Sequence, residues 1–141
     1  MSVRCALVIG HKVTSPGAVN QNMQISEFEF NEQLAFEIER RVTGVNLDLV
    51  YRRTWQTLPG DVNALQPDFI VSLHCNAFPH SDASGTETFY YHRSSKGKAL
   101  AHVMQDAVTA VLQLPDRGIK PRTSGDRGGR LLQGTHAPCV I

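Results

Sequence analysis

Two histidines and one glutamate stand where this sequence could do chemistry. His11 lies just past a continuous apolar run, Cys5–Ile9, that Gly10 closes, and His74 lies just past a second, the FIVSL stretch within Asp68–Leu73. If both runs are strands of a parallel sheet, both histidines sit at its carboxyl edge, where open α/β folds place their ligand sites. Glu27 joins them from the first turn of a predicted helix, because a right-handed crossover from the first strand starts its helix near that same edge. Glu27 also leads the series 27, 31, 34, 38, which places its carboxylate at the head of an apolar stripe, facing inward. Two imidazoles and one carboxylate converging on one edge form the donor set of a catalytic zinc site with an open fourth position, where bound water ionises near pH 7. Each residue has a plainer reading when taken singly. A first-turn glutamate is favoured by the helix dipole by about 0.3–1 kcal/mol, and a histidine near a strand end is more often a hydrogen-bonded structural residue. Their spacings match no short zinc motif, and no HExxH helix is present.

The elements that must position these groups follow from apolar periodicity. Cys5–Ile9 reads as a strand buried on both faces. After a loop rich in Ser, Pro, Gly and Asn, Ser26 and Glu29 make a capping box, and Leu34, Ile38 and Val42 recur at helical spacing. The helix is expected from about Ser26 to Val42, stopped near Gly44. Asn46–Tyr51 and Asp68–Leu73 read as strands, whereas Thr54–Leu65, with Pro59 and Gly60 inside it, supports only a short or broken helix. GTETFYY, opened by Gly85, alternates like a strand. Leu100, Val103, Met104, Ala107, Val111 and Leu112 trace an apolar helix face ending before Pro115. There follow GIK, an exposed Gly/Arg-rich loop SGDRGGR, a short RLLQ segment, and PCVI, which looks like a strand cut off partway. Strands alternating with helices predict one α/β domain, with a mostly parallel (mixed) central sheet flanked by helices on both faces.

Composition bounds the alternatives. The chain has 141 residues, 41% apolar and 19% charged, with a formal charge of +1, and describes one compact domain. Such a chain buries roughly two-thirds of its unfolded surface, so a metal would serve chemistry and is not needed to hold the fold. The near-neutral, interspersed charge lacks the footprint of a nucleic-acid binder. No run approaches the roughly 18 apolar residues of a membrane span, and Cys5–Ile9 is too short for a signal-peptide core. The expectation is synthesis in the cytoplasm without a signal peptide, and a monomer. Three cysteines, Cys5, Cys75 and Cys139, without paired spacing fit buried reduced thiols.

The segments IGHKVTSPGAVN, SEFEFNEQLA, VSLHCNAF, GTETFYY and DRGIK, in this order, resemble the zinc-dependent N-acetylmuramoyl-L-alanine amidases of the amidase-3 family, with a likeness running from Val3 to the C-terminus. The resemblance implies that the metal ligands are His11, Glu27 and His74, with Glu29 as the helix cap. It implies a Zn²⁺ cofactor and peptidoglycan as substrate, cut between N-acetylmuramic acid and the L-alanine of the stem peptide. Asn31, four residues after Glu27, and Asn76 are candidates to brace the ligands. Lys12 and Val13 replace the two glycines that the family usually has after its first histidine, which points to a phage- or prophage-type branch acting on the wall after export or lysis. The family's catalytic glutamate, in a segment resembling PAVLVE, has no match before Ile141. The expectation is therefore a C-terminally truncated catalytic domain with little or no activity. Glu87 reads as a solvated strand residue, SGDRGGR as a mobile surface loop or, alternatively, a contact for an anionic sugar or a stem-peptide carboxylate, His80, His92 and His102 as surface residues, and His136 as structural. Two other functions fit the residues: a non-catalytic, zinc-containing wall-binding fragment, and a zinc carboxypeptidase acting on the stem peptide.

Overall fold

A computed structural model describes residues 2–77 and 83–141. In chain order the elements are β1 (Val3–Ile9), β2 (Val19–Asn20), β3 (Ile25–Ser26), α1 (Glu27–Arg41), β4 (Val45–Tyr51), α2 (Leu58–Ala64), β5 (Phe69–Leu73), β6 (Thr86–Tyr91), α3 (Ser95–Leu112), β7 (Asp116–Arg122), α4 (Gly129–Gly134) and β8 (Cys139–Val140). Six strands form one mixed sheet in the order β4-β1-β5-β8-β6-β7, and β2 and β3 make a small antiparallel ribbon. The β1–β4, β1–β5, β5–β8 and β6–β7 pairs are parallel, and only β6 runs against β8. The carboxyl ends of β1 and β5 therefore lie at the same edge as the amino ends of β6 and β7.

The apolar run of β1 is explained by its central place. Cys5, Leu7 and Ile9 face one cluster with Phe28 and Ala35 of α1 and Ala101 of α3. Ala6 and Val8 face the other, with Leu58 and Val62 of α2 and Leu131 and Leu132 of α4. Helices thus cover both faces, as the strand–helix alternation requires. The three cysteines are free thiols, and Cys5 and Cys139 are buried. Among the described residues no helix is long and apolar enough to cross a membrane.

Three expectations need correction. The buried line of α3 is Gly97, Ala101 and Gln105, with Leu100 and Met104 packed beside it. Val103 and Val111 are 65% and 80% exposed, and Leu112 is exposed too. Gln105 can be buried because its amide donates to Thr86 O and Asp116 Oδ1 and its carbonyl accepts from Thr88 Oγ1, so the packed face is partly polar. On α1, likewise, Leu34 and Val42 are exposed, and the buried line is Glu27, Asn31 and Ala35, with Ile38 against the core. The DRGIKPR segment, for which no strand was expected, is the edge strand β7. An edge strand tolerates Pro121, and a register shift opposite Thr86–Thr88 accommodates Gly118 at φ +76°, so no alternating apolar pattern marks it.

Candidate metal centre

The sequence builds this corner from a strand end, a helix start and a second strand end. Immediately after β1 the backbone turns through Gly10 into His11, which holds a left-handed φ of +68°. Such a conformation is uncommon in a non-glycine residue, and the chain repeats it at Gln24, Gln66 and Gln113. A Cβ on Gly10 would collide with the carbonyl oxygen of Leu73 and approach the His74 ring to 3.0 Å. A Cβ on Gly17 (φ +81°) would lie 2.8 Å from Glu27 Oε2 and from the His11 ring. Only glycine at these two positions lets the strands and loop close around the imidazoles.

The helix start does two separate jobs. Ser26 Oγ accepts from Glu29 N at 3.2 Å while Glu29 Oε2 accepts from Ser26 N at 2.8 Å, a complete capping box. The loop after His11 supplies further caps, since Ala18 O accepts from Glu27 N at 2.7 Å and Pro16 O from Phe28 N at 2.9 Å. With Glu29 occupied in capping, Glu27 turns inward and is 4% exposed. Its Oε1 accepts from Cys75 N at 2.8 Å and lies 3.2 Å from His74 Nδ1. Its Oε2 accepts from Ala18 N at 3.3 Å and lies 3.2 Å from His11 Nε2. The rings of His11 and His74 meet edge-on with centroids 5.1 Å apart.

His11, Glu27 and His74 each offer one ligand atom, and the three atoms lie within 4.8 Å of one another. His11 Nε2 is buried and has no hydrogen-bond partner. A buried nitrogen without a partner is costly, and a cation between the three groups removes that cost, so the residues fit a metal ion. The electrostatics agree with this fit. Burial, reinforced by His74, Arg52 and Arg127 and opposed by Glu27, disfavours the protonated form of His11 and leaves the neutral ring that ligates. Burial pushes the Glu27 carboxyl upward, but hydrogen bonds from His74 and the Cys75 N–H, the electrostatic influence of the neighbouring His11 and the Ala18 N–H together hold it below the usual carboxylate range. Burial and the Glu27 charge push the Cys75 thiol up, which keeps it protonated and a poor ligand.

The two asparagines differ. Asn31 is buried, and its Nδ2 donates to Leu73 O at 3.0 Å, fixing the residue before His74. Asn76 is exposed and donates to Glu87 Oε1 at 2.8 Å, and it hydrogen-bonds neither His11 nor His74. Glu87 is not the solvated residue expected from its sequence. Its side chain is 8% exposed, 2.5 Å from Lys120 Nζ and 3.2 Å from Arg117 Nε. Burial would raise its pKa, but Lys120, Arg117 and Asn76 hold the carboxylate below its ordinary range. Both cations come from β7, the strand whose sequence gave no signal. His92 is exposed with its ring edge-on to Tyr91, His102 is exposed on α3, and exposed His136 donates its backbone N–H to Asn63 Oδ1. His80 lies outside the described residues.

The Gly/Arg-rich segment closes back on itself at the surface. Thr123 donates to Asp126 Oδ2 through both its N–H and its hydroxyl, at 2.6 and 2.9 Å, and the segment runs straight into α4 with Gly129 against the Thr123 carbonyl. It forms one wall of a cavity of about 340 Å³ whose opposite lining includes His11, Trp55 and His74. A second groove, about 480 Å³, leaves Glu27 on the other side past Val19, Met23, Ile25 and Phe30.

Comparison with known proteins bears on what such a corner is for. The chain is 29% identical to the N-acetylmuramoyl-L-alanine amidase LytC of Bacillus subtilis (strain 168), over 79% of this chain but 24% of that protein. It therefore spans about a quarter of the length of that curated relative. Its fold is similar to the catalytic domain of CwlV, an N-acetylmuramoyl-L-alanine amidase from Bacillus (Paenibacillus) polymyxa var. colistinus (TM-score 0.82, 25% identity, 98% of this chain and 77% of that chain). It is similar too to an N-acetylmuramoyl-L-alanine amidase from Clostridium difficile 630 (TM-score 0.83, 19% identity, 99% of this chain and 77% of that chain), a likeness of fold alone. The profile of the N-acetylmuramoyl-L-alanine amidases (Amidase_3) matches residues 5–141, nearly the whole sequence, and this chain belongs to that family.

Proposed function

We propose that residues 1–141 are the catalytic domain of a zinc-dependent N-acetylmuramoyl-L-alanine amidase of the phage or prophage type, which hydrolyses the amide between N-acetylmuramic acid and the L-alanine of the peptidoglycan stem peptide. The observation that carries this reading is the convergence of His11, Glu27 and His74 within 4.8 Å in a chain of this family. A bound zinc ion supplies Lewis acidity toward the scissile carbonyl and lets water ionise near neutral pH. The chain's own residues do the rest. Glu27, held by two backbone N–H groups, and a neutral His11 provide preformed donors, and Asn31 fixes the strand end that carries His74. Of the nearby carboxylates, Asp126 is held by Thr123 and Glu87 by its cations, so neither is free to take a proton. The proton-handling glutamate implied by the family resemblance has no counterpart among the described residues.

The test is product analysis on purified peptidoglycan at high protein concentration and long incubation. The amidase reading expects new L-alanine amino termini, lost with a chelator and restored by zinc. Release of a free amino acid would instead indicate a carboxypeptidase. Release of nothing, by a chain that binds both zinc and peptidoglycan, would indicate a wall-binding module.

A further inference from the structure

The cavity beside His11 and His74 has two arginines in its lining, and two more arginines stack on aromatic rings that line it. Arg127 and Arg130 line it, and neither has an ion pair or side-chain hydrogen bond among the described residues. Behind Trp55 sits Arg52, 6% exposed, with its Cζ 4.0 Å from the ring centroid and its Nε and Nη1 buried without hydrogen-bond partners. Arg122 stacks on Phe89 at 3.9 Å, and its Nε is likewise buried without a partner. Asp126, the carboxylate on this rim, is already committed to Thr123. The groove on the other side of Glu27 is different in kind, since its lining holds Val19, Met23, Ile25 and Phe30 and, among the described residues, no lysine or arginine.

Arg127 and Arg130 are exposed on the cavity wall with no carboxylate paired to them among the described residues, and a carboxylate is the planar acceptor that their fork geometry fits. The bond at issue joins two chemically unlike halves. The muramoyl side has its acid consumed in the amide and is uncharged, whereas the peptide beyond L-alanine keeps its carboxylates. We infer that the cavity lined by Arg127 and Arg130 is the peptide side of the site, where a carboxylate of the residue following L-alanine is received, and that the muramoyl glycan lies in the groove of Val19, Met23 and Phe30. This inference rests on the amidase reading above and adds a direction to it. Arg127, exposed on the cavity wall, makes the contact; Arg52, packed behind Trp55, holds that wall at positive potential.

The experiment is calorimetric titration of the metal-loaded chain with two product-side peptides that cannot be cleaved, L-alanyl-γ-D-glutamate and its α-amide, at low salt. A free carboxylate should bind about tenfold more tightly than the amide, the difference of one charge-assisted hydrogen-bonded pair. Arg127→Gln should erase that preference and Arg127→Lys keep part of it, because a point charge replaces a fork. Arg40→Gln, on the far surface of α1, should leave it intact. Equal binding of the two peptides by the unaltered chain overturns the inference, as does a preference that survives both Arg127→Gln and Arg130→Gln. If peptidoglycan is still cleaved at the muramoyl amide in that case, the amidase reading stands and only the direction falls. If no muramoyl amide is cleaved at all, the amidase reading fails and the inference with it.

Discussion

Around β1 and β5 the chain spends apolar side chains on both faces of the sheet, and the polar groups at the strand ends converge on one carboxylate. Around β6 and β7 it buries polarity instead: Gln105 reaches Thr86, Thr88 and Asp116, while Glu87 sits among Lys120, Arg117 and Asn76. The first region gathers three donor groups within 4.8 Å of one another, a set that fits a cation. The second is a satisfied network that needs none. The difference shows that a buried charge is not by itself a mark of chemistry. Glu27 and Glu87 are both depressed carboxylates under cover, but His11 beside Glu27 has a nitrogen with no hydrogen-bond partner, and Glu87 faces two cations and an amide.

The sharpest way to break this comparison is to remove one donor from each region. His11→Ala, Glu27→Ala and His74→Ala should each lower zinc content from about one ion per chain to near zero, a larger loss than the roughly 10–100-fold that an outer-sphere partner costs. Metal analysis after dialysis reads this directly. Undiminished zinc in His74→Ala would return the three residues to structural roles. Glu87→Gln should leave zinc content as it was.

Asn31 tests how far the frame extends beyond the ligands. Asn31→Ala removes the donor to Leu73 O and leaves that carbonyl without its partner, which costs roughly 1–3 kcal/mol of stability. Zinc affinity should fall by up to about 10–100-fold, read by competition with a chelator of known affinity. The matching change at Asn76, which hydrogen-bonds Glu87 and neither His11 nor His74, should move zinc affinity much less. Equal effects from the two would erase the distinction between them.

The polar region has its own signature in acid. The folded carboxyl of Glu87 titrates below its ordinary value of 4.5, so the ionised form favours the fold. A depressed carboxylate contributes stability that is fully present above the unfolded-state value and is lost as pH falls through the folded one. Denaturant melts of the unaltered chain and of Glu87→Gln should therefore differ most at neutral pH, where breaking the pair with Lys120 and Arg117 costs about 1–3 kcal/mol, and converge as pH falls through the depressed folded-state value, below the ordinary carboxylate range. A difference that grew on acidification would reverse the assignment.

What was legible in the sequence divides along the same line. Cys5–Ile9 and FIVSL could be read as central strands because both faces are apolar, and Ser26–Glu29 could be read as a cap because the box is a local chemical pattern. Those readings were enough to bring His11, Glu27 and His74 to one edge. Glu87 was misread because its partners come from β7, whose Asp116–Arg122 sequence contains a glycine, a proline and four charged residues and so carries no strand periodicity. The local closure of the SGDRGGR segment was not legible for a related reason. Its order comes from Asp126 closing back on Thr123 and from Gly129 fitting against the Thr123 backbone, contacts that composition does not announce.

The smallest expected effect concerns α3, where pattern and packing disagree. Val103 and Val111 belong to the apolar stripe by spacing, but the helix turns Gly97, Ala101 and Gln105 inward, because small residues let it lie close to the sheet and Gln105 must reach Thr88 and Asp116. Val103→Lys and Val111→Lys should each change stability by less than about 0.5 kcal/mol, as surface substitutions do, and lysine's slightly better helix propensity works in its favour. Ala101→Leu, an apolar change that the stripe argument would regard as harmless, should cost about 1–3 kcal/mol, because the added methylenes enter a contact with no free volume. Urea midpoints of the three variants decide it. Val111→Lys falling as far as Ala101→Leu would mean that the stripe, and not the polar line through Gln105, is what α3 buries.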